Sequence, residues 1–436
     1  MAAFPIEEVR SRFPGLLREV NGHQAIFFDG PGGSQSPESV GDAVKHYLMH
    51  QNANIGMSFA TSVETDALIE DTMRACADFV GCDDHREIVF GQNMTSLTIQ
   101  LASALSRTWG PGDEVVVTRL DHDANVRPWV LAAEWSGATV RRVDINPDDC
   151  THDAESLDES INKNTVLVAV GAASNLSGTI NDVADISRKA HEVGAEVFVD
   201  AVHYAPHLLV DVKQTGCDYL ACSSYKFFGT HQGILWGRAG RLADLPVAKL
   251  RVSTEDIPFR WMTGTQSHES IAGTLAAIEH LAWVGRAVSS EDLGRREALR
   301  SAFSAIEHYE RDLCWRIIEG LQSIAGIRIW GITDPSRSSE RAPTVSFTHD
   351  SMSARQIADA LAERGIFVWA GNFYALELSE ALGLEPEGVL RVGVLHYNTM
   401  EEVDRFLSEL SGILPDEATR PSDTRAGPRD YPQRRC

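Results

Sequence analysis

The sequence predicts an α/β fold built on a mostly parallel sheet with crossover helices. Two observations carry that expectation. Strand-like apolar runs alternate with stretches of helical apolar spacing along most of the chain. Two of the runs also end abruptly in polar groups: Val197-Phe198-Val199-Asp200-Ala201-Val202-His203, and Asp218-Tyr219-Leu220-Ala221-Cys222-Ser223-Ser224-Tyr225-Lys226-Phe227-Phe228-Gly229. Buried parallel strands look like this where they emerge at their carboxyl edge. Ligands of open α/β sheets bind at that edge. Asp200 and Lys226 are therefore expected to point into one site.

The chain has 436 residues, enough for two domains and a sizeable core. Its 43% hydrophobic and 23% charged content is that of an ordinary globular protein. A formal net charge of -23 argues against nucleic acid or an anionic membrane as partner, because phosphate would repel it. Seven cysteines are scattered, with no CxxC pair and no metal-ligand spacing. They suggest reduced thiols in a cytoplasmic enzyme without a metal. The first residues lack the basic and apolar regions of a signal peptide. No apolar run is long enough to span a membrane.

Taken in order, Ile6 to Phe13 reads as a short helix after Pro5, and Ala25 to Asp29 as a strand. Gly30-Pro31-Gly32-Gly33-Ser34 is a tight turn or a loop whose backbone approaches a ligand. Glu38 to His50 and Glu64 to Val80 have helical spacing. Strand Ile88 to Gly91 leads into a helix from Gln92 to Arg107, which opens with Met94-Thr95-Ser96. That start is either a simple threonine cap or a phosphate site, since a helix N-terminus offers free N–H groups. Strand Glu114 to Thr118 runs into Asp121-His122-Asp123, where the histidine is a capping residue or a site residue.

Strands Thr139 to Asp144 and Thr165 to Val170 flank a helix from Ala154 to Ile161. Ala173-Ser174-Asn175-Leu176-Ser177-Gly178-Thr179 follows as a polar turn. A helix from Val183 to Val193 precedes the first organising run, and Ile234 to Gly237 is a further strand. Arg260 to Gln266 contains a Gly264-Thr265 turn. A helix-rich stretch from Ser267 to about Ser323 leads to strands Thr344 to Phe347 and Phe367 to Trp369, with a helix from Ala354 to Glu363 between them. Leu390 to Thr399 carries Arg391 on a strand. From Pro415 the chain is rich in Pro, Asp and Arg, and is expected to be disordered.

An aspartate and a lysine at one sheet edge suit pyridoxal phosphate. The amine forms a Schiff base with the cofactor aldehyde, and the aspartate keeps the pyridine nitrogen protonated. The order Asp200-x-x-His203, then Ser223-x-x-Lys226, resembles the class V aminotransferases, and within them the cysteine desulfurases of the selenocysteine-lyase type. The resemblance runs from about Phe27 to Leu410.

It implies a fold-type-I architecture with a mostly parallel seven-stranded sheet and a smaller C-terminal α/β domain. It implies an arm at 1–20, a large cofactor domain at 21–285, a small domain at 286–414 and a tail at 415–436. Met94, Thr95, Ser96, Ser223 and Tyr225 fall where the family holds the phosphate. His122 falls where the family stacks an imidazole on the pyridine ring. Asn175 and His203 match the groups that reach the phenolate oxygen, and Arg391 matches the group that holds the substrate carboxylate through paired N–H donors. Thr265 matches the loop that completes a neighbouring subunit's phosphate site, which implies a homodimer with shared sites. Gly30, Asn54, Asn175 and Phe373 would shape the site for a small amino-acid substrate.

Two departures bear on function. Where these desulfurases carry their nucleophilic cysteine, this chain reads Gly371-Asn372-Phe373-Tyr374-Ala375. A phenol cannot accept sulfur as a persulfide. His203 replaces a glutamine and Tyr225 a histidine, so a new titrating group stands beside the ring. The expected function is lyase-type chemistry at Cα or Cβ with catalytic residues Lys226, His122, Asp200 and Tyr374. The alternatives are an aminotransferase or epimerase, a desulfurase with a displaced thiol, and a non-catalytic sulfur-transfer scaffold.

Overall fold

A computed structural model of the chain describes residues 4–289 and 291–415. The tail expected to be disordered lies, apart from Pro415, outside the described residues.

Seven strands form the large sheet: β1 (Ile88–Gly91), β2 (Glu114–Thr118), β3 (Thr139–Val143), β4 (Thr165–Gly171), β5 (Glu196–Asp200), β6 (Tyr219–Ser223) and β7 (Gly233–Gly237). Their spatial order is β1-β7-β6-β5-β4-β2-β3. β7 is antiparallel to both neighbours; the remaining pairings are parallel. Val197, Phe198 and Val199 on β5 are all fully buried, with Phe198 in one core cluster and its two neighbours in another. Burial on both faces is why these strands read as unbroken apolar runs.

A second, four-stranded antiparallel sheet contains β8 (Ile327–Trp330), β9 (Thr344–His349), β10 (Trp369–Gly371) and β11 (Val389–Gly393), in the order β8-β9-β11-β10. Helices Ala354–Glu363 and Met400–Ile413 each open with a capping box, Ser353 with Gln356 and Thr399 with Glu402. Their apolar faces, through Ile357, Leu361, Val403 and Phe406, share a core with Val345, Phe347, Leu390 and Val392 of this sheet.

Two sequence expectations are corrected here. The strand expected at Ala25 to Asp29 shortens to Ile26–Phe27, which pairs in parallel with Ile366–Phe367 rather than with the large sheet. The strand expected at Phe367 to Trp369 is two separate strands, broken at Val368. The helix-rich stretch expected after Ser267 is present, as two helices, His268–Val288 and Arg295–Gln322.

The parallel topology brings the ends of β2, β4, β5 and β6 to one edge. β7 runs the other way, so its start, at His231 to Gly233, joins the same edge. There Gly233 lets a helix begin close by: a Cβ on it would sit 2.4 Å from the Asn93 carbonyl carbon. That helix, Met94–Leu105, follows β1.

Candidate active site

At this edge lies a cavity of about 710 Å³. Twelve of the predicted site residues line it: Met94, Thr95, Ser96, His122, Asn175, Asp200, His203, Ser223, Tyr225, Lys226, Tyr374 and Arg391. Three do not. Gly30 is buried beside the wall, under Leu395, and its neighbours Pro31 and Gly32 line the cavity instead. Asn54 is exposed and accepts the Ile55 N–H. Thr265 is exposed and outside the cavity of its own chain.

The wall at the helix start is built by Asn93, not by a threonine cap. Its Oδ1 accepts the Ser96 N–H and hydroxyl, both at 2.9 Å. The Met94 N–H donates to the Ser223 hydroxyl at 3.0 Å, which ties the helix start to the end of β6. Thr95 and Ser96 remain exposed at the positive end of the helix dipole. An anion is favoured there.

Asp200 closes β5 and accepts the Val202 N–H at 2.9 Å. Burial raises its pKa to about 6, partly offset by the cation of Lys226. Lys226 donates to the Pro31 carbonyl. Burial, and then the Arg391 charge, lower its pKa to about 7. A substantial neutral fraction at physiological pH makes this amine a nucleophile. Tyr225 stacks on His231, with centroids 4.8 Å apart and planes at 11°.

His122 accepts the Ala124 N–H at Nδ1 (3.0 Å), so the neutral ring carries its proton on Nε2. Burial, with Lys226 and Arg391 nearby, lowers its pKa to about 4. The preceding residue, Asp121, also lines the cavity, which the sequence reading missed. It accepts the Gly171 N–H and the Asn125 side-chain amide, both at 2.9 Å. Burial and the neighbouring Asp200 push its pKa up.

Arg391, on β11, donates to the Asn175 carbonyl at 2.7 Å. Burial lowers its pKa to about 9, which leaves it cationic at neutral pH. The Asn175 amide donates to the Phe373 carbonyl at 2.8 Å. The Asp123 N–H donates to the Tyr374 carbonyl at 2.7 Å. These two bonds hold Phe373 and Tyr374 at φ 56° and 59°, a left-handed conformation costly for bulky side chains. The Tyr374 ring lies 5.4 Å from that of His122. Trp369, Phe373 and His231 also line the cavity; only Phe373 was anticipated. The signal for Trp369 was an aromatic at a strand start beside a glycine loop.

Two groups in this cavity have spare hydrogen-bonding capacity. Among the described residues, Asn175 Oδ1 and Arg391 Nε are buried without a protein partner. Buried polar atoms are normally satisfied, so their state fits a site built to take a polar ligand.

The sequence and the fold were compared with known proteins. The aminotransferase class-V profile matches residues 26–406. The chain is 34% identical over 428 residues to the aminotransferase-like protein FGM3 of Gibberella zeae, covering 95% of this chain and 99% of that one. It is 30% identical over 416 residues to a probable cysteine desulfurase of a Synechocystis species, covering 93% and 95%. The apo cysteine desulfurase of Thermococcus onnurineus superposes with a TM-score of 0.82 at 27% identity, over 95% of this chain and 99% of that one. The family depends on pyridoxal 5'-phosphate. A buried carboxylate, a lysine of lowered pKa and an anion-ready helix start in one cavity fit that cofactor. The chain belongs to the class-V aminotransferase family and is a fold-type-I, pyridoxal-phosphate-dependent enzyme.

Proposed function

We propose that the enzyme carries out lyase-type chemistry at Cα or Cβ of an amino acid. A β-substituent or a carboxylate leaves, and the carbon nucleophile so formed is open to C–C bond formation. No cysteine persulfide takes part. The observation that carries this reading is Tyr374. It lines the cavity beside His122, on the segment that by the sequence resemblance takes the place of the desulfurases' cysteine, and no described residue lining the cavity is a cysteine.

When bound, the cofactor supplies an electron sink for charge developing at Cα. The residues around it take the following roles in this proposal. Lys226 anchors the cofactor and is its proton carrier. Asp200 would hold the pyridine nitrogen, and His122 would help to exclude water from the ring. Met94, Thr95, Ser96, Ser223 and Tyr225 bind the phosphate, with Thr265 supplied by a second copy of the chain in a homodimer. Asn175 and His203 bind the phenolate oxygen. Arg391 clamps the substrate carboxylate, and Tyr374 with Trp369 borders the substrate side chain.

The test is a panel of amino acids offered to the cofactor-loaded enzyme. Absorbance reports binding and mass spectrometry identifies products. The reading expects a deaminated, decarboxylated or carbon-extended product. A product set limited to the oxo acid with amino-form cofactor would make the enzyme an aminotransferase instead.

A further inference from the structure

Behind the cavity wall a set of buried titratable side chains continues from His203, and its further members, His207 and Glu310, have no part in the chemistry above. His203 reaches the cavity, and its Nε2 lies 3.1 Å from the Thr344 hydroxyl. Four residues on, in the same run of turns, the His207 ring centroid is 5.5 Å from that of His203, edge to face. His207 Nδ1 is 2.8 Å from Glu310 Oε2, and both side chains are at most 2% exposed. The other ends of this pair, His207 Nε2 and Glu310 Oε1, are buried with no protein partner among the described residues. A second cavity of about 20 Å³ is lined by His207, Glu310, Glu307, Arg311, Ser339 and Arg341. That is room for one water. Glu307 and Arg311 are partly exposed and Ser339 is exposed, which puts the cavity's outer end at the surface.

We propose that His203, His207 and Glu310 form a proton conduit that links the cofactor cavity to bulk solvent through the small cavity. The inference rests on the reading that the large cavity holds the cofactor.

Each transfer exchanges one N–H or O–H bond for another and moves no electrons between reactants. In this proposal a proton on His203 passes through a bridging water to His207 Nε2, the ring nitrogen left without a protein partner. His207 then releases its Nδ1 proton to Glu310, ending neutral in the other tautomer. Glu310 delivers a proton to the water of the small cavity, and the reverse passage, with Glu310 returning a proton to Nδ1 and Nε2–H going back towards His203, restores the first tautomer. Burial and the surrounding charges bias the direction. Burial, and then His207, Arg391 and Lys226, disfavour a proton on His203. Glu310, in contrast, has its pKa raised by burial, which His207 and the His396 N–H only partly offset, so it can take the proton up. The second buried pair, His280 and His396 at 3.1 Å, packs against Phe13 and Phe228 and has no small cavity beside it among those described.

The test is infrared difference spectroscopy on the full chain, before and after loading with pyridoxal phosphate and then with a substrate found in the panel. A conduit changes the protonation of Glu310 when the site fills. A carbonyl band of a protonated carboxyl group should appear or vanish, shift in D2O, and be absent in Glu310→Gln and His207→Phe. A structural ion pair would leave the spectrum silent. In Glu310→Gln, kcat should fall about tenfold with KM unchanged and a larger solvent isotope effect. Should either buried variant fail to fold, Ser339→Trp plugs the exposed mouth and should slow deuteration of the band about tenfold. A silent carboxyl region with cofactor bound, or unchanged deuteration in Ser339→Trp, overturns the conduit. Absence of any cofactor absorbance instead overturns the reading of the large cavity.

Discussion

The guanidinium carbon of Arg391 lies 3.8 Å from the centroid of the Phe373 ring. The ring covers one face of the cation and leaves its edge, with the unpartnered Nε, for a carboxylate. Such a contact is worth about 0.5–2 kcal/mol and also dries the ion. Phe373→Ala should therefore raise KM about tenfold with little change in kcat. Arg391→Lys, which loses the planar fork of donors, should raise KM on the order of a hundredfold. Steady-state kinetics on the best substrate of the panel checks both. Equal KM values in wild type and Arg391→Lys would remove Arg391 from the carboxylate site.

Lys226 sets the pH at which the enzyme loads. Only the neutral amine attacks the cofactor aldehyde, and burial beside Arg391 brings its pKa down to about 7. The neutral fraction rises with pH, so the rate of cofactor capture by the cofactor-free protein should climb between pH 6 and 8, then level off. An ordinary lysine would still be gaining near its reference value of about 10.4. Removing a cation favours the protonated amine, so Arg391→Gln should move the inflection upward. Borohydride reduction and peptide mapping should place the cofactor on Lys226, and Lys226→Ala should trap none. Stopped-flow absorbance against pH measures the inflection; one near pH 10 would contradict the buried, cation-flanked environment.

Much of this site was legible because parallel strands buried on both faces announce their ends. The apolar runs into Asp200 and Lys226 stop where the sheet meets solvent, and both residues line the cavity. The direction of β7 was not legible, since Ile234-Leu235-Trp236 reads the same either way. Nor was the left-handed pair at Phe373 and Tyr374, because neither residue type favours that backbone and it is held by hydrogen bonds from Asn175 and Asp123, far off in sequence, together with those to Asn372. Asp121 hid behind His122: its importance lies in a contact with Gly171, fifty positions away. Asn54 and Thr265 were placed in the site by resemblance, and in a single chain both are exposed outside it.

That exposure has a consequence for assembly. Thr265 is surface residue and the segment around Asn54 carries Leu48, Met49, Ile55, Met57 and Phe59, all exposed. Exposed apolar groups gathered on one short segment mark an interaction surface. The expected state is a homodimer in which Thr265 reaches the phosphate of the other copy. Light scattering should give twice the chain mass. Phe59→Asp together with Met57→Asp should shift the protein towards monomer and weaken cofactor retention in parallel. A monomer that holds the cofactor fully would count against shared sites.

Sulfur chemistry gives the last test. Persulfide transfer needs a thiolate that can reach the substrate's sulfur. The six cysteines among the described residues are Cys76, Cys82, Cys150, Cys217, Cys222 and Cys314; five are buried, Cys82 partly so. Burial pushes the thiols of Cys150 and Cys314 up to about 11 and those of Cys82 and Cys217 to about 12. At neutral pH these groups are thiols, not nucleophiles. Cys436 lies outside the described residues and is the one thiol left to act as a displaced nucleophile. Cysteine should be a poor desulfuration substrate, and alkylating accessible thiols should leave the main activity largely intact. Tyr374→Phe, by contrast, should change rate or product ratio, because the ring beside His122 keeps its packing and loses its hydroxyl. The measurement is sulfide release from cysteine under reducing conditions, in wild type and in Cys436→Ser. Rapid release that Cys436→Ser abolishes would restore the desulfurase reading and assign the nucleophile to the tail.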